Sequence, residues 1–341
     1  MNTTLDTIQF PADIFVAALH DAALMVEANG TIISSNKAAD GLLRFNCKGE
    51  NIVTVLRSPA MVEGLANAFK TGTEQQVQIN LRHAVTLALE VNISILDVKN
   101  HHAGLALIVC KDVTYAQQIE KMRSDFVANA SHELRTPLTT LSGFIETMQG
   151  AGKNDVKAHP GFLKMMKSQA DRMARLIDDL LSLSRIEVSE HVAPDANVDI
   201  ASVVRQTASL LEPLRAELSC RIELQLPDHL VVLGDEGQLT QVIHNLLENA
   251  LRYSGKEKTI IVRVEKSEDA NIISVIDNGP GIEAHHVPRL TERFYRVDSR
   301  NRGGTGLGLA ICKHIINRHR GKLVIESELG KGSCFSIQLP C

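Results

Sequence analysis

The sequence predicts a multidomain protein: an N-terminal α/β unit, a hairpin of two long amphipathic helices, and a C-terminal α/β unit. Three observations predict it. Strand-like alternation with short helical pieces fills the chain to about residue 113, and a 3.6-residue apolar period then holds to about Met148. A second such period runs from Phe162 to about Glu187, and from Ile200 helix and strand patterns alternate. With 341 residues, two or three domains are expected, each large enough to bury a core.

The first unit, residues 12–113, opens with "AALMVEANGTIISSN", a strand, an Asn29-Gly30 turn and a strand, the usual hairpin signature. Short helical pieces follow in "KAADGLLRF" and "PAMVEGLANAF". Then come three strand-like segments, "EQQVQINLR", "VTLALEVNISIL" and "HAGLALIVCKDV". No cofactor signature stands out: Cys47 in "NCK" reads as a structural thiol, and His101-His102 beside Asn100 as a turn.

The hairpin, residues 114–188, carries one apolar stripe on its first helix through Ile119, Phe126, Ala130, Leu134, Leu138, Leu141, Ile145 and Met148. His132 lies opposite the middle of that stripe, which points it to solvent. A lone helical histidine is more often a satisfied core residue, and the wheel argues against that here. Pro137 removes a backbone hydrogen bond to Glu133 and crowds that carbonyl, which costs ~3 kcal/mol unless the helix bends. A bend beside an exposed histidine points to function. Gly150, Gly152 and Pro160 mark the loop to the second helix, whose stripe is Met166, Ala170, Met173, Ile177 and Leu180. Such a hairpin lacks partners for its apolar faces, and pairing two copies into a four-helix bundle completes it. The alternative is packing on its own C-terminal unit.

"VSEHVAPDANVD" reads as a polar linker to the third unit, residues 198–341. That unit reads as a helix to about Arg215, "RIELQL", a helix from Gly237, "TIIVRVEKS", "NIISVIDNG", a helix from Thr305, "KLVIES" and "CFSIQL".

The balance of 36 basic and 40 acidic residues, net −4, lacks the basic excess of a nucleic-acid binder. Six scattered cysteines without a CxxC pair fit reduced cytosolic thiols rather than disulfides or a zinc site. No apolar run approaches the ~20 residues that span a bilayer, and no signal pattern opens the chain, which reads as soluble.

Four signatures follow one another in the third unit. In "NLLENALRYS" Asn245 and Asn249 share a helical face, with Arg252 and Tyr253 a turn on; amide oxygens can ligate Mg²⁺ without neutralising it. In "DNGPGI" a strand delivers Asp277 into a turn where Gly279 and Gly281 admit close backbone approach. "TERFYRVDSRNR" reads as a lid whose arginines reach phosphate oxygens. "GGTGLGLA" sets glycines before a helix N-terminus, an anion site that is neither the dinucleotide GxGxxG nor a P-loop. Each alone is a common surface or turn pattern; the ordered set describes a Mg-ATP pocket.

At this point the chain resembles bacterial sensor histidine kinases over nearly its whole length. "SHELRTPL" matches the phosphoacceptor box, the four signatures match the nucleotide-binding boxes, and the N-terminal unit looks like a PAS sensor domain. "DFVANASHELRTPL", "SGFIETMQG", "RMARLIDDLLSLSRIE" and "ERFYRVD" look most like phosphate-regulon sensor kinases. The resemblance implies a PAS-like domain without a ligand, a dimeric four-helix bundle, and an α/β sandwich ATP-binding domain of the histidine-kinase, gyrase and Hsp90 type.

The resemblance also implies roles. His132 would receive the γ-phosphoryl group, with Glu133 holding the imidazole tautomer and accepting its proton. Asn249 would hold Mg²⁺ with support from Asn245, Asp277 would read adenine, and Arg252 and Tyr253 would touch phosphate or base. Arg296 would stabilise charge on the transferred group. Gly279, Gly281, Ile282, Phe294, Tyr295, Gly304, Thr305, Gly306, Leu307 and Gly308 would complete the nucleotide site. Thr136, one turn past His132, would orient a water for dephosphorylating a partner's phosphoaspartate. The implied partners are a second copy, a response regulator of the phosphate regulon, and an accessory phosphate-transport regulator. Relatives commonly carry a membrane segment before the PAS domain and this sequence shows none, so the expectation is a cytoplasmic protein as given, or one at the cytoplasmic face of the inner membrane if an N-terminal anchor is missing. Three alternatives stand beside this: an ATPase that uses nucleotide only for conformational change, a scaffold with a dead ATP site, and the same enzyme in a cell-cycle or stress pathway.

Overall fold

The structure, a computed structural model, describes residues 12–82, 86–96, 104–150, 153, 155, 157–297 and 304–341. Asn100, His101, His102, Gly152, Gly303 and the distal lid residues 298–302 therefore lie outside the described residues. The chain divides into two compact units between Asp125 and Phe126.

In the first unit, α1 (Ala12–Ala17) precedes the hairpin β1 (Ala22–Glu27) and β2 (Ile32–Ser35). The turn works because Gly30 adopts φ 87 and Asn29 Oδ1 accepts the Thr31 N–H at 2.8 Å. Helices α2 (Lys37–Leu43), α3 (Ile52–Leu56) and α4 (Pro59–Thr71) follow, then β3 (Gln75–Arg82), β4 (Thr86–Leu96) and β5 (Leu105–Asp112). Asn36 and Asn51 cap α2 and α3. The strands form one antiparallel sheet, order β2-β1-β5-β4-β3. Leu24, Val26, Leu89, Val91 and Ile108 close its core against Leu43, Ile52, Leu56, Met61 and Leu65 of the helices.

Helix α5 (Thr114–Gln149) runs as one α-helix through Pro137, and Pro137 is its buried residue. The expected stripe is thus not buried along its length: Phe126 and Leu134 pack on the core of the second unit, while Ile119, Leu138 and Ile145 are exposed. Helix α6 (His159–Ser189) starts earlier than the periodicity suggests because Pro160 sits in its first turn, where its missing N–H costs nothing. It has two apolar faces. Leu176, Leu183 and Ile186 close on the core of the second unit with Leu180 of the predicted stripe beside them, while Ile177 of that stripe stays outside at 44% exposed. Of the two expectations for the hairpin, packing on the C-terminal unit is what α6 shows, and part of its apolar surface stays exposed.

The expected linker is partly a strand. β6 (Asn197–Asp199) pairs with β8 (Val231–Leu233) in a two-stranded sheet. The helix expected to reach Arg215 breaks into α7 (Ile200–Leu210) and α8 (Glu212–Leu218), because Pro213 has no N–H to continue the ladder. The rest is β7 (Arg221–Gln225), α9 (Glu236–Ser254), β9 (Thr259–Lys266), β10 (Ala270–Asp277), α10 (Gly308–Arg318), β11 (Lys322–Glu328) and β12 (Gly332–Pro340). The five-stranded sheet has order β11-β12-β10-β9-β7, antiparallel except for β7 with β9. Ile260, Val262, Ile273, Val275 and Ile337 of this sheet pack against Val242, Ile243, Leu246, Ile311 and Ile315 of α9 and α10. That layer holds α9 rigid, which fixes everything its outer face presents. No described helix is long and apolar enough to cross a membrane.

Candidate active site

Six chain segments, Ser333 and Phe335 of β12 among them, line a cavity of about 790 Å³ in the second unit. Helix α9 supplies Asn245, Glu248, Asn249, Arg252 and Tyr253, and the end of β10 with its turn supplies Asp277, Gly281 and Ile282. Tyr295 and Arg296 of the lid, Gly304, Thr305, Gly306 and Gly308, and Arg175, Asp178 and Asp179 of α6 complete the wall.

The α9 residues face outward because Leu239, Val242, Ile243, Leu246, Leu247 and Ala250 take the opposite face into the core. Asp235 starts the helix, its Oδ1 accepting the Gln238 N–H at 3.0 Å. Asn245 Nδ2 donates to the Gly308 carbonyl at 3.3 Å and ties α9 to the start of α10. Arg252 is engaged by Glu248, with Nε to Oε1 at 2.9 Å, so reaching a phosphate means releasing that carboxylate.

Asp277 stands at the strand end with Oδ1 accepting the Gly279 N–H at 2.8 Å. Burial pushes its carboxyl above the ordinary range, and the backbone N–H groups of Gly279 and Ser333 pull it back. Gly281 has φ 71, and a Cβ there would stand 2.0 Å from the Glu328 carbonyl oxygen, so no other residue fits this turn. Gly279 is behind the wall rather than on it, and a Cβ at that position would stand 2.6 Å from the Ser254 Cα.

The lid divides by direction. Tyr295 lines the cavity, its hydroxyl 2.5 Å from His286 Nδ1, and the Arg289 guanidinium lies 4.2 Å over its ring. Phe294 does not line it: this residue has φ 64 and turns its ring onto Phe126 of α5, centroids 5.9 Å apart. Leu307 is likewise absent from the wall, being buried in the core beneath α10. The α10 helix begins at Gly308 rather than Thr305, because Gly306 still has φ 74.

Arg296 is the most informative side chain. It lines the cavity, yet its Nε and Nη2 are buried without a hydrogen-bond partner. Buried N–H groups without partners are costly, and an anion in the cavity would satisfy them.

His132, Glu133 and Thr136 do not line the cavity; they stand on α5. His132 is exposed, and the Thr136 hydroxyl donates back to the His132 carbonyl at 3.2 Å. The α6 residues on the wall lie in the run "RMARLIDDLLSLSRIE", to whose side chains the sequence assigned no role in the site. Asp179 accepts a hydrogen bond from the Thr305 hydroxyl at 2.7 Å. Its carboxyl is raised by burial first, with Asp178 and Glu248 adding to the rise and Thr305 and Arg175 opposing it.

Comparison with known proteins reads this geometry. Residues 122–189 match the His Kinase A (phospho-acceptor) domain, and residues 234–341 match the histidine kinase-, DNA gyrase B- and HSP90-like ATPase domain. The phosphate regulon sensor protein PhoR of Pseudomonas aeruginosa is 37% identical over 330 residues, 94% of this chain and 72% of that protein. The chain belongs to the sensor histidine kinases. The sensor histidine kinase WalK of Bacillus subtilis is also similar, 34% identical over 340 residues, which is 95% of this kinase and 54% of WalK. Among solved structures, the Acinetobacter baumannii histidine kinase AdeS is 27% identical with a TM-score of 0.50, covering 61% of this kinase and 97% of that chain. Histidine kinase ThkA, solved in complex with response regulator protein TrrA, shares the fold at a TM-score of 0.50 and 20% identity, with 97% of this kinase and 98% of that chain covered.

The ATPase-domain match spans most of the cavity wall, and the phospho-acceptor match spans α6 and the part of α5 that carries His132.

Proposed function

We propose that this histidine kinase phosphorylates its own His132 from Mg-ATP and passes the group to an aspartate of a response regulator. The observation that carries this is the pairing of an exposed His132 with a cavity on whose wall Arg296 keeps Nε and Nη2 buried without a hydrogen-bond partner. Phosphoryl transfer asks for positioning and charge stabilisation more than covalent chemistry, which suits a cavity of amides, a carboxylate and arginines. The donor set fits Mg²⁺: Asn245 and Asn249 offer amide oxygens and Glu248 a carboxylate, and phosphate and water would fill the remaining positions. Asp277 would accept from the adenine amino group, and Arg296 would meet phosphate oxygens.

We also propose a homodimer, supported by the apolar residues left exposed on the hairpin, such as Leu138 at 54%. Thr136 beside His132 supports regulator phosphatase activity. The three working segments are residues 12–113, 114–188 and 198–341, the first a PAS-like sensor consistent with its antiparallel sheet and packed helices. Catalysis belongs in the cytoplasm, whether the protein is free there or held at the inner face of the inner membrane.

For the pathway, similarity to PhoR supports phosphate-starvation signalling, with the regulator of that regulon and an accessory transport regulator as partners. Similarity to WalK supports a second reading in another pathway. Phosphorylated protein mixed with purified regulators separates them. Fastest transfer to the phosphate-regulon regulator is the expected result, faster transfer to a WalK-type regulator establishes the second reading, and transfer to neither contradicts both.

A further inference from the structure

Glu133 is held by a residue to which neither the motifs nor the proposed mechanism gives a role. Arg172 of α6 donates from Nη2 to Glu133 Oε2 at 2.7 Å, bridging the two helices of the hairpin. The Arg172 side chain is 15% exposed, and Leu176, one turn on along the same face, is buried in the core of the second unit. The guanidinium takes one carboxylate oxygen and leaves Oε1 without a hydrogen bond among the described residues. His132, the neighbouring residue, has no side-chain hydrogen-bond partner among the described residues.

This arrangement has the form of an activated nucleophile: a nucleophile, a base beside it, and a third group that orients the base. Oriented bases matter because a misplacement of ~1 Å at a reacting centre costs on the order of 100-fold in rate. A glutamate has three rotatable bonds, and on an exposed helix surface it would otherwise sample many rotamers.

We propose that Arg172 is a positioning residue for autophosphorylation, anchoring Glu133 by one oxygen so that the other is presented to the His132 imidazole. The inference rests on reading His132 as the phosphoacceptor and Glu133 as its base. In the step it serves, one imidazole nitrogen forms the N–P bond while the bond from the γ-phosphorus to the β–γ bridging oxygen breaks. ADP leaves with that electron pair, and the proton on the other ring nitrogen passes to Glu133 Oε1. Arg172 takes part in no bond change. A lysine could hold the charge but not the planar fork, so it should replace the arginine only in part.

The test is the initial rate of autophosphorylation with radiolabelled Mg-ATP in the full chain, for Arg172→Ala, Arg172→Lys, Glu133→Gln and the double variant Glu133→Gln/Arg172→Ala. The expected result is a rate about 10- to 100-fold lower in Arg172→Ala at unchanged KM for ATP, with partial rescue by lysine. In the Glu133→Gln background, loss of Arg172 should add nothing, because its only route to the chemistry is already gone. Losses that multiply in the double variant, or a rate in Arg172→Ala equal to or above that of the parent, would overturn the proposal. Should Arg172→Ala not fold, as circular dichroism would show, Arg172→Lys and Arg172→Gln carry the same comparison. Label persisting in His132→Gln would instead overturn the underlying reading, which keeps the two failures distinct.

Discussion

The protein contains two five-stranded sheets covered by helices, and they treat buried polar groups in opposite ways. In the first unit Asn36 is buried, and its side chain is fully used. Oδ1 accepts from the N–H groups of Ala23 and Ala39 at 3.1 and 2.9 Å, and Nδ2 donates to the Leu19 and Asp21 carbonyls at 3.0 and 2.8 Å. In the second unit Gln238, Ser254, Asn271 and Arg296 all keep buried polar atoms without partners, and among the described residues no such atom lies in the first unit. Satisfied burial of Asn36 builds a corner of a core. Unsatisfied burial of Arg296, on the wall of a large cavity, describes a place where a ligand supplies what the fold leaves out. Gln238, Ser254 and Asn271 do not line the cavity, so an unmet polar atom together with a place on the wall is what marks the site at Arg296.

Substitutions can break or sharpen that contrast. The largest effect should come from Leu24→Ala in the fully buried centre of β1, which removes core atoms and leaves a void. It should cost about 2–5 kcal/mol of first-unit stability in denaturant melts, with nucleotide affinity in a titration unchanged. A matched loss of nucleotide binding would show that the two regions are not separable in this way.

Next is the pair Asn36→Ala and Arg296→Ala. Asn36→Ala strands several backbone groups and should destabilise the nucleotide-free protein by about 1–3 kcal/mol. Arg296→Ala removes the buried, unpartnered Nε and Nη2, so the nucleotide-free protein should melt at the same temperature or higher. Its ATP affinity should fall by about 10- to 100-fold, the worth of a charged hydrogen bond to phosphate. An Arg296→Ala protein that is destabilised when empty and binds ATP normally would contradict the assignment of Arg296 to the ligand.

A smaller effect compares two glycines. Gly49 in the first unit has φ 91 with open space around its missing side chain, whereas Gly281 has φ 71 and the Glu328 carbonyl 2.0 Å from a Cβ. Both Gly→Ala changes carry the left-handed backbone cost, and Gly281→Ala should lose about 1–2 kcal/mol more in the same melts. Equal losses would mean the turn behind Asp277 yields easily.

The smallest effect is on pH. His319 Nε2 accepts the Asp235 N–H at 3.0 Å while Nδ1 faces the Ile315 carbonyl at 2.7 Å, an arrangement that uses the neutral ring. Burial lowers its affinity for a proton below the ordinary value of 6.5. Below that pH the unfolded chain therefore binds more protons than the folded one, and the second unit should lose stability as pH falls through this range, keeping it fully above. His319→Gln should flatten the acid side of a melting-temperature profile. A profile unaltered by the substitution would remove His319 from the account.

Much of the fold was legible because periodicity survives in long elements. The strand β4 alternates, and α9 shows one apolar face for its whole length, which is also why the paired Asn245 and Asn249 could be read as facing outward. The β6–β8 sheet was hidden, since three-residue strands have no period and "VSEHVAPDANVD" is polar. Helix α6 carries apolar residues on two faces, and a helical wheel cannot say which partner each face meets. The site was legible where side chain and backbone motif coincide, as at Asp277 and Gly281. It was not legible at Phe294 and Leu307, whose motif neighbours reach the cavity while their own side chains pack elsewhere. Nor could sequence show that Asp178 and Asp179 join the wall, or that Arg296 is buried unmet, because both depend on how α6 and the lid close on α9.

The central claim is that ATP held in the second unit's cavity phosphorylates His132. The most direct measurement incubates the purified chain with radiolabelled Mg-ATP beside His132→Ala and Asn249→Ala, reading an acid-labile, alkali-stable label. The account predicts label on the parent protein and on neither variant, with nucleotide binding retained in His132→Ala and lost in Asn249→Ala. Label that persists in His132→Ala, or a parent protein that binds ATP and takes up none, would contradict it.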